Sequence, residues 1–361
     1  MDKNNLIIDL GACYCRAGLS KEIIDENKNY TFESCVAYLK SKYEKDEKII
    51  KNLNGKKFFI GKNADYKKLE MSKGQFDFKW PLKIKDNNYL NYDSIENIFG
   101  HVFSEFNVDP CEQNVLLAEF QIDSQPDNEK ATQIMFETFN VPNFYLANIG
   151  VLTVLSAERS TGIAITSGES ATQIIPVFEG CRISWASKKL DYSGKDLTEY
   201  LIKEIVKLDY KFNGRLKNEE IKEIKDKHCY LATNENEKIS PYFYQGVFIR
   251  NPLVNCPGIL FPDIAKECFN SINKCDKSLH KELFNSICLS GGNTMFKGFP
   301  EKLKIELEKL ESKEEINIIA PPEREYSILK GGAILSNNDT IWITREEYEE
   351  NGSYCIKWKY F

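Results

Sequence analysis

Two apolar runs joined by a short polar turn recur along this chain. Residues 163–177 enter a turn at Ser167-Gly-Glu-Ser170 and leave it as a second apolar run, which Pro176 is expected to break. The pattern predicts a β-hairpin whose tip exposes backbone N–H groups. Residues 6–19, Leu-Ile-Ile-Asp-Leu followed by Gly11 and a second run, have the same form. Two such hairpins suggest two related halves gripping one anionic ligand. Two ordinary core hairpins would give the same pattern, so the motif alone does not decide.

Helical periodicity takes over elsewhere. Residues 92–106 place Ile95, Ile98, Phe99, Val102, Phe103 and Phe106 on one face. Residues 127–139 read as a helix with Asp127 available as its cap, and residues 146–157 as another. Helices are also expected at 194–205, at 219–230 and from Phe299 to Leu310. Strands are expected at 114–118, around Lys57-Phe-Phe-Ile-Gly61 and at 286–290 before Gly291-Gly292. Residues 20–58 lose clear periodicity, and 40–48 is a charge run of the kind that forms a solvated loop or helix face. Residues 232–262 read as loop, with Pro241, Pro252, Pro257 and Pro262 as breakers. Strands alternating with helices make this an α/β protein.

Composition narrows the classes. The chain has 361 residues, 42% of them hydrophobic and 28% charged, enough for two domains of ordinary size with a large core. A net charge of −6 argues against nucleic acid as the main partner. No apolar run approaches the roughly 20 residues needed to span a bilayer. The first residues lead directly into a strand, so no signal peptide is expected. The 11 cysteines are scattered, and Cys13 and Cys15 form only a Cys-x-Cys, so reduced thiols are expected. The histidines (His101, His228, His280) are far apart, and a His/Cys metal site is not expected.

Three glycine turns follow apolar strands, at Gly11, Gly168 and Gly291-Gly292. Glycine is needed where backbone approaches a phosphate closely or takes positive φ. Asp9, at the end of the first strand, is placed to orient water on a Mg²⁺ riding with phosphates, and Arg16 to reach a phosphate. Each glycine is weak evidence alone, since turns need glycine for steric reasons. Together they point to a nucleotide site.

Several specific blocks in register then carry a resemblance to actin and the actin-related proteins. They are Ala131-Thr-Gln-Ile-Met-Phe-Glu-Thr-Phe-Asn140, Gly194-Lys-Asp-Leu-Thr198, Leu289-Ser-Gly-Gly-Asn-Thr-Met295, Ala320-Pro-Pro-Glu-Arg324 and Trp342-Ile-Thr-Arg-Glu-Glu-Tyr348, with Phe361 at the end. The chain resembles that family over nearly its whole length. The resemblance implies an actin-like ATPase fold: two ribonuclease-H-like domains with ATP or ADP and Mg²⁺ or Ca²⁺ in the cleft between them. It implies a first core subdomain of residues 1–33, 81–156 and 327–361, with 34–80 as a small peripheral subdomain. The second core subdomain would be 157–192 and 259–326, and the second peripheral one 193–258.

The resemblance also assigns residues. Asp9, Gly11 and Arg16 fall at the first phosphate hairpin, Asp9 meeting the cation through water. Gly168 and Glu169 fall at the second, Glu169 where the family has an aspartate. Gly194, Lys225 and Asp226 flank the ribose and base, and Gly291, Gly292, Met295 and Phe296 line the nucleoside pocket. Asp226 replaces a glutamate and Phe296 a tyrosine, swaps that keep charge and shape.

Departures from the family concentrate where hydrolysis happens. The glutamine that positions the attacking water is Ile149, the second metal-orienting aspartate is Thr166, and the proton-relaying histidine is Gln173, which does not titrate. Leu10, Ala12 and Cys13 replace an asparagine, a serine and a glycine, and Glu325 replaces a lysine beside the base. The polymer contacts change as well. Residues 40–57 are rich in lysine and glutamate where the family inserts apolar residues into the next subunit, and residues 259–268 are shortened. Leu155 and Glu158 replace an aromatic residue and a glycine in the partner-binding cleft, and a deletion around Ser336–Asp339 shortens its lower wall.

The expectation is a divergent actin-like protein that binds nucleotide with weak or absent hydrolysis. It would act as a structural subunit with other actin-family or cytoskeletal partners, in the cytoplasm or nucleus, and not as a homopolymer. The alternative is a filament-forming ATPase in which Glu169 and Gln173 take over catalytic duties. A sugar kinase or chaperone of the same superfamily fits less well, because the quoted blocks are specific to actins.

Overall fold

The computed structural model describes residues 4–47, 51, 53, 56–61, 74–82, 90–119, 124–190, 192–233, 239–311, 313–338 and 341–359, with residues 262 and 358 by backbone alone. Residues 48–50 and 54–55 of the charged stretch, the lysine-rich 62–73, Asp339 and Phe361 lie outside the described residues. The chain divides into two compact units, Met1–Asn148 with Gly332–Phe361, and Ile149–Gly331. Both are α/β.

In the first unit, β1 (Leu6–Leu10) and β2 (Tyr14–Leu19) form the expected hairpin, Leu6 opposite Leu19 and Leu10 opposite Cys15. The stretch without periodicity holds α1 (Ser20–Glu26), β3 (Tyr30–Glu33) and β4 (Val36–Leu39). Elements this short carry too few repeats for a period to show. β4 lies between β5 (Phe58–Phe59) and β6 (Phe76–Lys79) in a separate small sheet. The helix α2 (Tyr92–Phe106) has the expected bounds, and the Asn91 side chain caps it by accepting the Ser94 N–H at 2.9 Å. Its Ile95, Ile98, Phe99, Val102 and Phe103 are buried in the same core as Leu6, Ile8, Val115 and Leu117 of the six-stranded sheet.

That sheet continues through β7 (Val115–Ala118) to β8 (Asn143–Ala147) and ends at Ile343–Thr344. Between β7 and β8 runs α3 (Gln125–Gln133), which closes in a single π-helical turn at Ile134–Thr138. Two expectations need correction here. The cap of α3 is Ser124, and Asp127 lies in the first turn, where its carboxylate accepts the hydroxyls of Ser124 and Tyr92. Leu146 and Ala147 belong to β8 and not to a helix, because they complete the parallel ladder opposite Leu117 and Ala118.

The second unit opens with α4 (Ile149–Ser156), then the second hairpin, β9 (Gly162–Ser167) and β10 (Thr172–Phe178). Pro176 does not break β10. On its outer edge β10 pairs with β11 (Cys181–Arg182) at residues 177–178 and with β12 (Lys188–Leu190) at 172–174. Pro176 sits in the interval between these partners, where no ladder donor is needed, and its carbonyl accepts the Ile183 N–H at 2.8 Å. Helices α5 (Gly194–Leu208) and α6 (Asn218–His228) follow. The stretch expected as loop is instead a hairpin of β13 (Tyr242–Tyr244) and β14 (Val247–Ile249), then α7 (Asn251–Gly258) and α8 (Phe261–Lys274). Pro252 and Pro262 occupy first turns, where a missing N–H costs nothing, and Pro257 comes near the end of α7. Leu260, Phe261, Ile264, Ala265 and Cys268 are buried, so residues 259–268 join the core of this unit. β15 (Ile287–Ser290) runs parallel to β9, and α9 (Phe299–Leu310) has the expected bounds.

The second unit encloses a lysine. Lys225 of α6 is 1% exposed, and its Nζ donates to Gly194 O and Thr198 Oγ1, each at 3.1 Å, and to Glu169 Oε2 at 3.5 Å. A buried ammonium is tolerated only when its donors find partners, and these span the second hairpin and the start of α5. Replacing Lys225 with Met leaves Glu169 without its counter-charge and should lower the melting temperature by about 6 °C or more. Adding E169Q to K225M should recover part of that loss. Scanning calorimetry of the three proteins checks this, and an unchanged K225M transition would contradict it.

Candidate functional site

In the first unit the expected residues gather at the β1–β2 turn. Asp9 and Arg16 are cross-strand partners, with Arg16 Nη1 3.9 Å from Asp9 Oδ2. Burial pushes the Asp9 carboxyl above its ordinary value, and the Arg16 guanidinium only partly opposes this. Burial also holds the neighbouring Cys15 as a neutral thiol, the Asp9 charge adding to the effect. The Gly11 N–H donates to Tyr14 O at 3.0 Å, and a Cβ at Gly11 would stand 2.8 Å from that oxygen. This glycine therefore serves close approach within the turn, and its own amide is used to close it. The expectation that the tip simply exposes its N–H groups is corrected in this respect.

The second hairpin behaves alike. Gly168 N–H donates to Ala171 O at 2.9 Å and closes the tip. The tip is then held from three directions. The first amides of α5 donate into it, Gly194 N–H to Gly168 O at 2.9 Å and Lys195 N–H to Glu169 O at 3.0 Å. Asp196 fixes the start of that helix by accepting the N–H and hydroxyl of Ser193, both at 2.8 Å. Asn293 Nδ2 donates to Gly168 O at 2.7 Å and to Ser167 Oγ at 3.1 Å. Gly291 has φ +89, and a Cβ there would lie 2.4 Å from Ser167 O, so only glycine allows β15 to turn against the tip. A Cβ at Gly194 would meet Glu169 Oε2 at 2.9 Å and Asn293 Oδ1 at 3.0 Å.

Gly168, Glu169, Gly194, Lys225 and Gly291 are thus one connected cluster. Asp226 adjoins it at its half-exposed edge, 3.9 Å from Lys225 Nζ. Desolvation raises the Asp226 carboxyl, Lys225 and Lys222 oppose that, and Glu169 and Glu325 reinforce it. Gly292 is exposed and Met295 half-buried. Phe296 is 5% exposed and packs in the core of this unit. Asn293, Thr198 and Arg324 were not singled out from sequence. Arg324 is buried, and donates to Thr294 Oγ1 at 3.2 Å and Pro321 O at 3.1 Å. The available signals were an Asn directly after Gly-Gly and an Arg directly after Pro-Pro-Glu.

The positions to which the resemblance assigned hydrolytic groups all fall in this unit. Ile149 begins α4 and is half-buried. Thr166 and Gln173 face each other across β9 and β10, and Ser290 faces Thr166 from β15. None of these side chains titrates near neutral pH. Among the described residues no group of three or more His, Cys, Asp or Glu could hold a metal ion, and no helix is long and apolar enough to cross a membrane.

With this geometry in hand, comparison with known families gives one result. The actin family model matches residues 1–245 and 261–361, leaving only 246–260, the hairpin strand β14 and the whole of α7, outside the match. Two α/β units with glycine-cornered hairpins agree with a match of that extent, and the chain belongs to the actin family.

Proposed function

We propose that the chain holds an adenine nucleotide with Mg²⁺ or Ca²⁺ and turns it over weakly or not at all, serving as a structural subunit of a larger cytoskeletal assembly. The observation that carries this reading is a contrast within the second unit. The turn that would face phosphate is braced by Lys225, Asn293, Gly291 and the start of α5. The neighbouring row Gln173, Thr166 and Ser290 holds no general base or acid, and Ile149 cannot hydrogen-bond a water. Losing one water-orienting or proton-handling group costs about 10²-fold in rate, and more than one is absent.

The residues of the first unit fit a cation. Asp9 supplies a single carboxylate whose burial makes its charged form unfavourable, and a nearby cation would offset that cost. With one carboxylate, the ion would be held chiefly through phosphate oxygens and water, as Mg²⁺ commonly is. When bound, it would neutralise phosphate charge. Arg16 would remain the partner of Asp9, and in the second unit Lys225 would hold Glu169 and its turn.

The subunit role rests on the surface. Trp185, Tyr210, Phe243 and Phe248 are exposed aromatic side chains, the residue type enriched where protein surfaces meet, and the Phe243 and Phe248 rings lie 5.0 Å apart. Within the charged stretch Lys57 pairs with Glu44 at 3.3 Å, and Lys40 pairs with Asp77 of β6 at 3.5 Å. We read residues 34–80 and 193–258 as peripheral subdomains, the assembly as cytoplasmic or nuclear, and its partners as actin-family or cytoskeletal proteins.

Purified protein should release phosphate from ATP about 10²-fold or more slowly than a conventional actin, in a coupled phosphate assay. Comparable turnover would refute the static reading. In polymerising salt the protein should stay in the supernatant on ultracentrifugation, and a large pelleted fraction would overturn the subunit reading. Asp9→Asn should have opposite effects on stability and binding. The folded-state pKa of Asp9 is raised, so its charge is a liability above that pKa, and the liability vanishes as pH falls towards the ordinary carboxylate value. The variant should therefore melt higher than wild type at pH 8 without nucleotide, and the difference should close in acid. Its Mg-nucleotide affinity should drop about tenfold or more by titration calorimetry.

A further inference from the structure

The side chain of Gln173 is 7% exposed, and its Oε1 has no hydrogen-bond partner among the described residues. A buried acceptor left this way is destabilising, so a fold that keeps one invites a reason. The sheet register says which way it faces. Gln173 lies opposite Thr166, and Thr166 opposite Ser290, so the three point to one face. Ser290 Oγ meets Thr153 Oγ1 of α4 at 2.9 Å, which identifies that face. The alternate residues Ile165, Ile174 and Leu289 point the other way into the core, and Ser167 with Thr172 points towards Asn293. Gln173 therefore stands beside the Thr166 hydroxyl, with Lys189 of β12 as its exposed neighbour on the outer side.

Directly opposed side chains of an antiparallel pair have Cβ atoms about 5 Å apart. Two neutral oxygens at that spacing can accept hydrogen bonds from one small cluster of donors. Phosphate oxygens are acceptors and cannot satisfy Oε1, whereas water bound to a divalent cation is a strong donor. The resemblance places an aspartate for the cation at position 166, where this chain has a threonine. Gln173, next to it in register, restores an acceptor oxygen without a charge.

We propose that Gln173, together with Thr166, accepts hydrogen bonds from the water shell of the divalent cation that accompanies the nucleotide. Gln173 is thus a positioning residue for cation-dependent binding and takes no part in proton transfer. This rests on the nucleotide-holding function proposed above.

The test measures affinity for the fluorescent nucleotide etheno-ATP, in Mg²⁺ and in EDTA, for wild type, Q173L and Q173E. Melting of the nucleotide-free proteins is followed alongside. Q173L removes the unpaired acceptor, so it should melt about 2 °C or more above wild type without ligand. The same variant should bind etheno-ATP about tenfold more weakly in Mg²⁺ and equally in EDTA. Q173E still offers acceptor oxygens and should keep or strengthen binding in Mg²⁺. Equal affinity of Q173L and wild type in Mg²⁺ would overturn the proposal while leaving nucleotide holding intact. Weakening of Q173L in EDTA as well, or loss of Mg²⁺-dependent binding in Q173E, would show an amide–phosphate contact and overturn it too. Failure of wild type to bind etheno-ATP in either buffer would remove the nucleotide reading and this inference together.

Discussion

The second unit depends on a buried positive charge. Lys225 reaches from α6 to the first carbonyl of α5, the Thr198 hydroxyl and the Glu169 carboxylate, so three separate chain segments converge on one ammonium. Desolvating an ammonium is costly, and the arrangement persists only because its donors find acceptors in the enclosed space. That requirement fixes how closely α5 approaches the β9–β10 turn, which in turn demands glycine at 194 and, from the other side, at 291. The turn is therefore shaped by the protein's own charges and backbone. It does not wait for a ligand to order it.

Long amphipathic elements were legible in the sequence. The stripe of Ile95, Ile98, Phe99, Val102 and Phe103 fixed α2 to the residue, and α9 likewise, because a helix of three turns or more repeats its period several times. The two hairpins were legible from apolar runs flanking small polar turns. Boundaries failed where several structures share one local signal. Leu146 and Ala147 suit a helix or a strand equally, and only the ladder with Leu117 and Ala118 decides. Prolines 252 and 262 were read as breakers although proline is well suited to a helix's first turn, and Pro257 is tolerated near the end of α7. Pro176 is tolerated in β10 because of where β11 and β12 happen to begin and end, which is long-range information.

The candidate site was legible in outline and less so in its internal bonding. Glycines at 11, 168 and 291 marked the turns correctly, but the amides of Gly11 and Gly168 are used inside their own turns. Asn293 braces the second tip, yet a lone asparagine carries no signal of that role until β15 is placed beside β9. Phe296, expected at a nucleoside pocket, packs among the core residues of the second unit, a burial its type alone does not show. Residues whose roles come from backbone closeness can be found by type. Those whose roles come from what lies opposite them need the sheet.

The start of α5 has a further electrical consequence. A helix carries partial positive charge at its N-terminus, on the N–H groups that lack partners. Here the first two of those groups are hydrogen-bonded to the carbonyls of Gly168 and Glu169. In a trans peptide the carbonyl and the following N–H point in opposite directions, and the described chain has no cis bonds. The peptide groups joining 168 to 169 and 169 to 170 therefore align with the helix axis and extend its dipole by one layer. Hydrogen bonds in series polarise one another, so the amides of Glu169 and Ser170 become the outermost positive end of a fifteen-residue helix that begins after them in the chain.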